Sequence, residues 1–249
     1  MSDSLLERAK ALKLHGALAH WEEIEKTDWI QSLIQWEEEE RAHRGLTRRL
    51  DNAKLGEFKS MSAFDWSWPR KCDREAIEDL LELDFLKTAT NIIISGPNGV
   101  GKSTIACNIA YEAAIRGSSV LFTTASAMLN DLVSQESDKA MMRRIKYYAQ
   151  PTLLACDELG YLSYSNRYAD LLFEVISRRY KEKPTLITTN KPFAEWGEIF
   201  PNASCVVSLI DRLVHRSEIV SIDADSYRLK EAMEKEAQRK ETRAKKKKN

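Results

Sequence analysis

The residues best suited to chemistry form one octet, Gly96-Pro97-Asn98-Gly99-Val100-Gly101-Lys102-Ser103, a full G-x-x-x-x-G-K-[ST] match. Three of the nine glycines in the chain fall here, where missing side chains let successive backbone N–H groups converge on phosphate oxygens. With Thr104, which follows, the octet makes the expected nucleotide-binding set. Lys102 is then placed to pair with the β- and γ-phosphates of ATP, and the Ser103 hydroxyl to ligate Mg²⁺.

A phosphate loop alone does not separate kinases from hydrolases. The run Leu153-Leu154-Ala155-Cys156-Asp157-Glu158 is apolar and ends in two carboxylates. Asp157 suits the acid that joins Ser103 in orienting Mg²⁺, and Glu158 suits the base that polarises an attacking water. Small-molecule kinases exclude that water and need no such base, so the paired acids point to an ATPase. A further apolar run, Pro184 to Asn190, ends in an amide that either hydrogen-bonds the water and γ-phosphate or simply caps a strand. In Ser208 to Arg216 the spacing predicts a helix with Arg212 and Arg216 at i, i+4 on one face. Either could reach a neighbouring subunit's γ-phosphate as an arginine finger, or both could serve surface salt bridges. Arg178 and Arg179 are secondary candidates for the same task.

The elements that must hold these groups follow from hydrophobic periodicity. From residue 91 short continuous Ile, Val, Leu and Thr runs appear at Asn91 to Ser95, Ser119 to Thr124, Thr152 to Asp157, Thr185 to Asn190 and Glu218 to Ile222. Such runs suit strands buried on both faces, and the segments between them are long enough for helices, which predicts a five-stranded parallel α/β core. Asn91 to Ser95 supplies the strand before the phosphate loop, and Ser103 to Ile115 the helix after it. Before residue 61 there is no proline, and Leu5, Ala9, Leu12, Trp21, Ile24, Trp29, Leu33 and Trp36 recur mostly at three- and four-residue steps, which predicts amphipathic helices. Five of the six tryptophans lie in the first 68 residues and are expected to supply core area there, with Trp66-Ser67-Trp68-Pro69 as a non-helical junction. The expected domains are a helical adaptor over 1–60, an ATPase domain over 61–230 and a basic tail over 231–249.

The chain of 249 residues balances 38 basic against 38 acidic side chains, yet the charge is unevenly placed. Residues 1–40 carry a net of minus 6, 41–60 plus 4, 61–90 minus 3, 91–230 plus 1 and 231–249 plus 4. Neutrality overall therefore does not exclude a polyanionic partner. No apolar run of 18 residues and no signal peptide are evident, so a cytoplasmic protein without membrane contact is expected. Cys72, Cys107, Cys156 and Cys205 lack metal-ligand spacing and read as small core residues.

Several runs carry a resemblance: Asp157-Glu158-Leu159-Gly160-Tyr161-Leu162, Ala169-Asp170-Leu171-Leu172-Phe173, Ile176-Ser177-Arg178-Arg179-Tyr180, Thr188-Thr189-Asn190-Lys191-Pro192-Phe193, Trp196-Gly197-Glu198-Ile199-Phe200 and Asp225-Ser226-Tyr227-Arg228. Together they resemble the IstB family, helper ATPases of bacterial insertion sequences, similar to DnaC-type helicase loaders within the AAA+ superfamily. Arg48-Arg49-Leu50 and Ala63-Phe64-Asp65-Trp66 resemble its segment before the ATPase core. The resemblance implies an AAA+ core with no separate lid. It also implies ATP-dependent homo-oligomerisation on duplex DNA, target-site selection, and recruitment or stimulation of a partner transposase. The alternative is a DnaC-like replicative helicase loader. Related initiators and loaders place a DNA-contacting helical insertion between the second strand and Asp157. Here Ser126 to Gln150 is predicted as two helices, the second bearing Lys139, Arg143, Arg144 and Lys146. Lys139, Arg143 and Lys146 are spaced to share one stripe, which is either a phosphate contact or an ordinary solvated face.

Overall fold

A computed structural model describes residues 4–160, 166–200 and 204–246. Tyr161 and Leu162 of the family-like run, and Lys247 and Lys248 of the basic end, lie outside the described residues. Internal contacts divide the chain into two units, 1–51 and 52–249.

The first unit holds α1 (Leu5–Ala11), α2 (His15–Ala19), α3 (Trp21–Ile24) and most of α4 (Asp28–Ala53). Ser4 starts α1 by accepting a hydrogen bond from the Glu7 N–H at 3.3 Å, satisfying one of the donors that every helix start leaves open. Ala9, Leu12, Ile30 and Ile34 form its buried centre, with Trp21 and Leu33 among the side chains packed against it. The expectation that the tryptophans feed this core fails at Trp29 and Trp36, which are 52% and 65% exposed. They are seven residues apart on α4 and out of phase with the buried pair Ile30 and Ile34, so a full tryptophan complement does not fit one face.

The second unit opens with a 3₁₀ turn (Met61–Ala63), then α5 (Arg74–Glu82) and α6 (Phe85–Thr88). Strand β1 (Asn91–Ser95) leads through the phosphate loop into α7 (Lys102–Ile115); β2 (Val120–Thr124) leads into α8 (Ala125–Val133) and α9 (Asp138–Ala149). Then come β3 (Leu153–Leu159), α10 (Asn166–Arg179), β4 (Thr185–Thr189), a 3₁₀ turn with α11 (Trp196–Ile199), α12 (Val206–Val214), β5 (Ser217–Ser221) and α13 (Tyr227–Lys246). The strands lie in the order β2-β3-β4-β1-β5, every pair parallel, as the apolar runs predicted. Ile92, Ile93, Ile94, Leu154, Ala155, Cys156, Leu186 and Ile187 are buried on both faces of the sheet. Helix α7 lies against that sheet with Ile105, Ala106, Ile109, Ala110, Ala113 and Ala114 buried, small side chains that permit close approach.

Asn91 locks the start of β1: its Oδ1 accepts from the Thr185 N–H at 2.9 Å and its Nδ2 donates to the Leu213 carbonyl at 3.0 Å. A parallel sheet of this order forms only when segments far apart in sequence meet, and Asn91 ties three of them with one side chain. Among the described residues one helix, α13, follows β5, in keeping with a core without a separate lid. Residues 231–246 of the expected basic C-terminal segment are helical, as part of α13. Among the described residues no helix is long and apolar enough to cross a membrane.

Candidate active site

The phosphate loop leaves the C-terminal end of β1, which lies between β4 and the edge strand β5. Gly99 (φ +79°) and Gly101 (φ +100°) adopt the left-handed backbone that a side chain disfavours. A Cβ at Gly99 would overlap Ser226 Oγ, and one at Gly101 would overlap the Phe64 ring. The cradle is thus shaped by glycine and walled by residues remote in sequence. Lys102 is buried, and its Nζ donates to the carbonyls of Gly96 at 2.8 Å and Pro97 at 2.7 Å. Burial lowers the Lys102 pKa, while the carboxylate of Asp157 opposes that effect and Arg228 adds to it.

Asp157 is 6% exposed at the end of β3. Its Oδ1 accepts from Ser103 Oγ at 3.0 Å and from Thr188 Oγ1. A hydroxyl and a carboxylate converging in this way form the hard-oxygen donor pair that Mg²⁺ favours, so the side chains fit that ion. Among the described residues no group of three His, Cys, Asp or Glu side chains is gathered to hold a metal.

Glu158 follows at a kink. The β3–β4 register shifts between Cys156 and Leu159, and Glu158 has φ +62°, rare for a residue with a side chain. The Glu158 N–H donates to Thr188 Oγ1 at 2.9 Å. Thr188 therefore accepts from the backbone of one acid and donates to the side chain of the other. A bulge held in this manner re-aims consecutive side chains that a regular strand would send to opposite faces.

Asn190 lies one residue beyond β4, the strand between β3 and β1. Its Oδ1 is buried without a hydrogen-bond partner among the described residues, an arrangement that costs about 1–3 kcal/mol unless a ligand or water satisfies it. The adjoining Gly160 has room for no Cβ without crowding this oxygen.

A cavity of about 660 Å³ runs along the loop. Gly99, Val100, Gly101, Lys102, Ser103, Thr104 and Asp157 form part of its wall, whereas Gly96, Pro97 and Asn98 precede that wall in the loop. The remaining wall comes from Leu55, Lys59, Phe64, Trp68, Tyr227 and Arg228 among others, none of them in the expected site. Two segments build that wall and are fastened together. Lys230 Nζ donates to Asp65 Oδ2 at 3.0 Å and sits 4.4 Å from the centre of the Trp68 ring, and Trp68 Nε1 donates to the Asp225 carbonyl at 2.8 Å. The Tyr227 N–H donates to the Gly99 carbonyl at 2.9 Å. Hydrogen bonds from Ser67 and Lys230 hold the Asp65 pKa down to about 2. Trp68 thus belongs to the cavity wall, and Trp66 packs on Phe64 of that wall with ring centroids 4.7 Å apart. A signal for this was present in sequence: aromatic residues clustered at a proline junction on one side and next to a lysine on the other.

The candidate fingers separate. Helix α12 ends at Val214 with His215 as its cap, so Arg212 and Arg216 do not share a helix face; the β5 pairing begins too soon for another turn. Arg212 is half-buried over the Phe173 ring at 4.4 Å and donates to Ser177 Oγ, pinning α12 to α10. Arg216 is exposed just before β5, and its carbonyl accepts from the Asn91 N–H at 2.8 Å. Arg178 pairs with Glu174 at 2.8 Å. Arg179 is 1% exposed and donates to the carbonyls of Ala149, Pro151, Thr152 and Pro184 and to Thr185 Oγ1, so it serves the fold.

On α9, Lys139, Arg143 and Lys146 are exposed at spacings of four and three residues, one helix face. Arg144 departs from them: its guanidinium donates to Asp131 and lies 4.3 Å from the centre of the Tyr147 ring.

The sequence model of a family described as IstB-like ATP binding protein matches residues 4–235. A protein of Geobacillus stearothermophilus named for ATP binding and for insertion sequence IS5376 is 34% identical over 88% of this chain and 87% of its own. One of Pseudomonas aeruginosa named likewise for IS21 is 31% identical over 92% of this chain and 83% of its own. Among solved structures, that of DnaI aligns with a TM-score of 0.56 at 21% identity over 66% of this chain and 90% of the other. DnaA of Aquifex aeolicus bound to AMPPCP aligns with a TM-score of 0.51 at 23% identity over 65% of this chain and 49% of the other. These likenesses agree with a P-loop core of the AAA+ kind.

Proposed function

Since the chain belongs to the IstB-like ATP-binding proteins, we propose that it hydrolyses ATP while assembled with copies of itself on duplex DNA, selecting a target site there and recruiting a transposase. The observation that carries the hydrolytic part is the Thr188 bridge, which holds Asp157 and Glu158 together at the end of the strand facing the phosphate loop.

Bound Mg²⁺ would supply charge neutralisation to the β- and γ-phosphates, with Ser103 and Asp157 holding it. Lys102 exchanges its two loop carbonyls for phosphate oxygens. Loop N–H groups and the start of α7 receive the remaining phosphate charge. Glu158 accepts a proton from water as the new O–P bond forms and the bond from the γ-phosphorus to the ADP oxygen breaks, releasing phosphate and ADP. Asn190 aligns the water, giving its orphaned oxygen a partner. Arg216 of a neighbouring copy stabilises the charge on the transferred group, which makes turnover depend on assembly. The α9 face of Lys139, Arg143 and Lys146 meets DNA phosphates without reading bases, so binding is salt-sensitive and largely indifferent to sequence.

The test is a pair of variants measured for ATP binding, ATP turnover and mobility of the protein–duplex complex. Lys102→Ala is expected to lose ATP binding. Glu158→Gln is expected to bind ATP, to turn it over some 10²- to 10⁴-fold more slowly, and to leave long-lived assemblies on DNA. Unchanged turnover in Glu158→Gln removes that residue from its role, and ATP-independent binding to duplexes removes the assembly reading.

A further inference from the structure

Helix α4 carries opposite charge on its two halves. Residues 28–40 hold five acidic side chains and no lysine or arginine, whereas residues 41–53 hold four arginines and one aspartate. Ile30 and Ile34 turn one face of the helix to the core of the first unit. Well round from them, Trp29 and Trp36 stand exposed two turns apart, and Glu40, His43 and Thr47 continue the same exposed face at steps of three and four residues. Two indoles left in water on one face withhold area from burial, since each ring offers about 150–250 Å². The charges beside them are held by exposed or half-exposed pairs within the helix, Arg41 with Glu37 and Arg44 with Glu40, both at 3.1 Å. Pairs of this kind contribute little, so exchanging them for other partners costs little.

We propose that this face of α4 is an interface with the same helix of a second copy, the two running antiparallel about a twofold axis near Glu40 and Arg41. The proposal rests on the self-assembly in the proposed function and adds to it a contact that needs neither ATP nor DNA. Charge complementarity selects the occupant and its direction. Antiparallel pairing lays each acidic half on the other copy's basic half, while parallel pairing sets like charges together along the whole contact. In the antiparallel register Glu37 meets the partner's Arg44 and Glu40 meets the partner's Arg41, so each glutamate exchanges an arginine on its own helix for one across the axis. Glu37, Arg41 and Arg44 lie to the same side of the tryptophan face, and a twofold axis brings that side against itself, so the exchange is geometrically consistent. Trp36 is then covered by the arginine-bearing turns of the other copy, where a guanidinium stacks well on an indole. A lipid surface is the poorer occupant, because the tryptophans stand in the acidic half, which anionic headgroups repel. A different protein would have to bring a basic stripe of its own, whereas a second copy already carries one.

The experiment uses the full chain without nucleotide or DNA, sized by sedimentation velocity over a concentration series. Wild type is expected to form dimers. Trp29→Gln combined with Trp36→Gln is expected to keep its helical content and ATP affinity and to raise the dimer dissociation constant by about 30-fold or more, the loss expected of buried aromatic anchors. Two charge variants give a second measure: Glu37→Arg with Glu40→Arg, and Arg41→Glu with Arg44→Glu. Each alone should be monomeric, and their mixture should regain the dimer. A dimer unchanged in the tryptophan variant overturns the interface, as does a mixture of charge variants that stays monomeric. A wild type that is monomeric alone yet assembles on duplex with ATP leaves the face to another protein and overturns the interface while sparing the self-assembly reading. A wild type monomeric under every condition overturns both.

Discussion

Arg212 and Arg216 carry the same charge four residues apart and have opposite surroundings. Arg212 is spent on Phe173 and Ser177 of its own chain, and Arg216 faces solvent with no ion pair among the described residues. Arg216→Ala is therefore expected to leave ATP affinity and thermal stability near wild type and to cut assembled turnover by 10³-fold or more. Mixing it with Lys102→Ala protein should restore part of the activity, since each copy lends what the other lacks. Arg212→Ala should instead lower stability by about 1–2 kcal/mol, through lost packing on Phe173 and loss of its hydrogen bond to Ser177, whose hydroxyl still donates to the Phe173 carbonyl. Turnover lost in Arg212→Ala without loss of stability, and intact in Arg216→Ala, would reverse the assignment. The phosphate loop and its paired acids were legible because their roles demand contiguous residues. Thr188 was not, since a threonine in a buried strand looks like any β-former until the bulge opposite it is seen. The cavity wall from Phe64, Trp68, Tyr227 and Arg228 was equally hidden, because it is made by segments more than 150 residues apart that pairwise spacing cannot join.

Among the elements, strands read well and helix ends read poorly. Strands β1, β3 and β4 were visible as apolar runs because both faces of a parallel sheet are covered there, whereas in the edge strand β5 Glu218, Ile219 and Ser221 are exposed. Helix α12 stops two residues short of Arg216 because β5 must start in register with β1, a tertiary demand that local spacing does not contain. Helix α13 is held at its root by hydrogen bonds to the phosphate loop and Asp65. The junction of α10, β4 and the α9–β3 turn depends on one side chain, Arg179, with its fan of carbonyl acceptors. Replacing it with Met keeps much of the volume and leaves several acceptors unpaired. Arg179→Met is expected to destabilise the protein by about 3 kcal/mol or more in urea titration. A loss below about 1 kcal/mol would show that water replaces the guanidinium there.

At the scale of the whole molecule, the cavity-lining residues begin at Leu55, inside the second unit. A chain starting at Asn52 should bind ATP within about threefold of the full protein, whereas one starting at Arg70 should bind far more weakly for want of Phe64 and Trp68. Equal affinity in both would mean that those aromatic residues wall the cavity without contributing to binding; loss in the first would assign the N-terminal helices a part in it. The strand order has a further consequence, for the birth of the protein. Strand β1 stands between β4 and β5, whose residues begin 90 and 122 positions after its last one. A nascent chain can make its N-terminal helices early, but the floor beneath the phosphate loop is finished only when β5 has left the ribosome. Competence for ATP should accordingly arrive in a single late step of synthesis, with long-range pairing as the slow event.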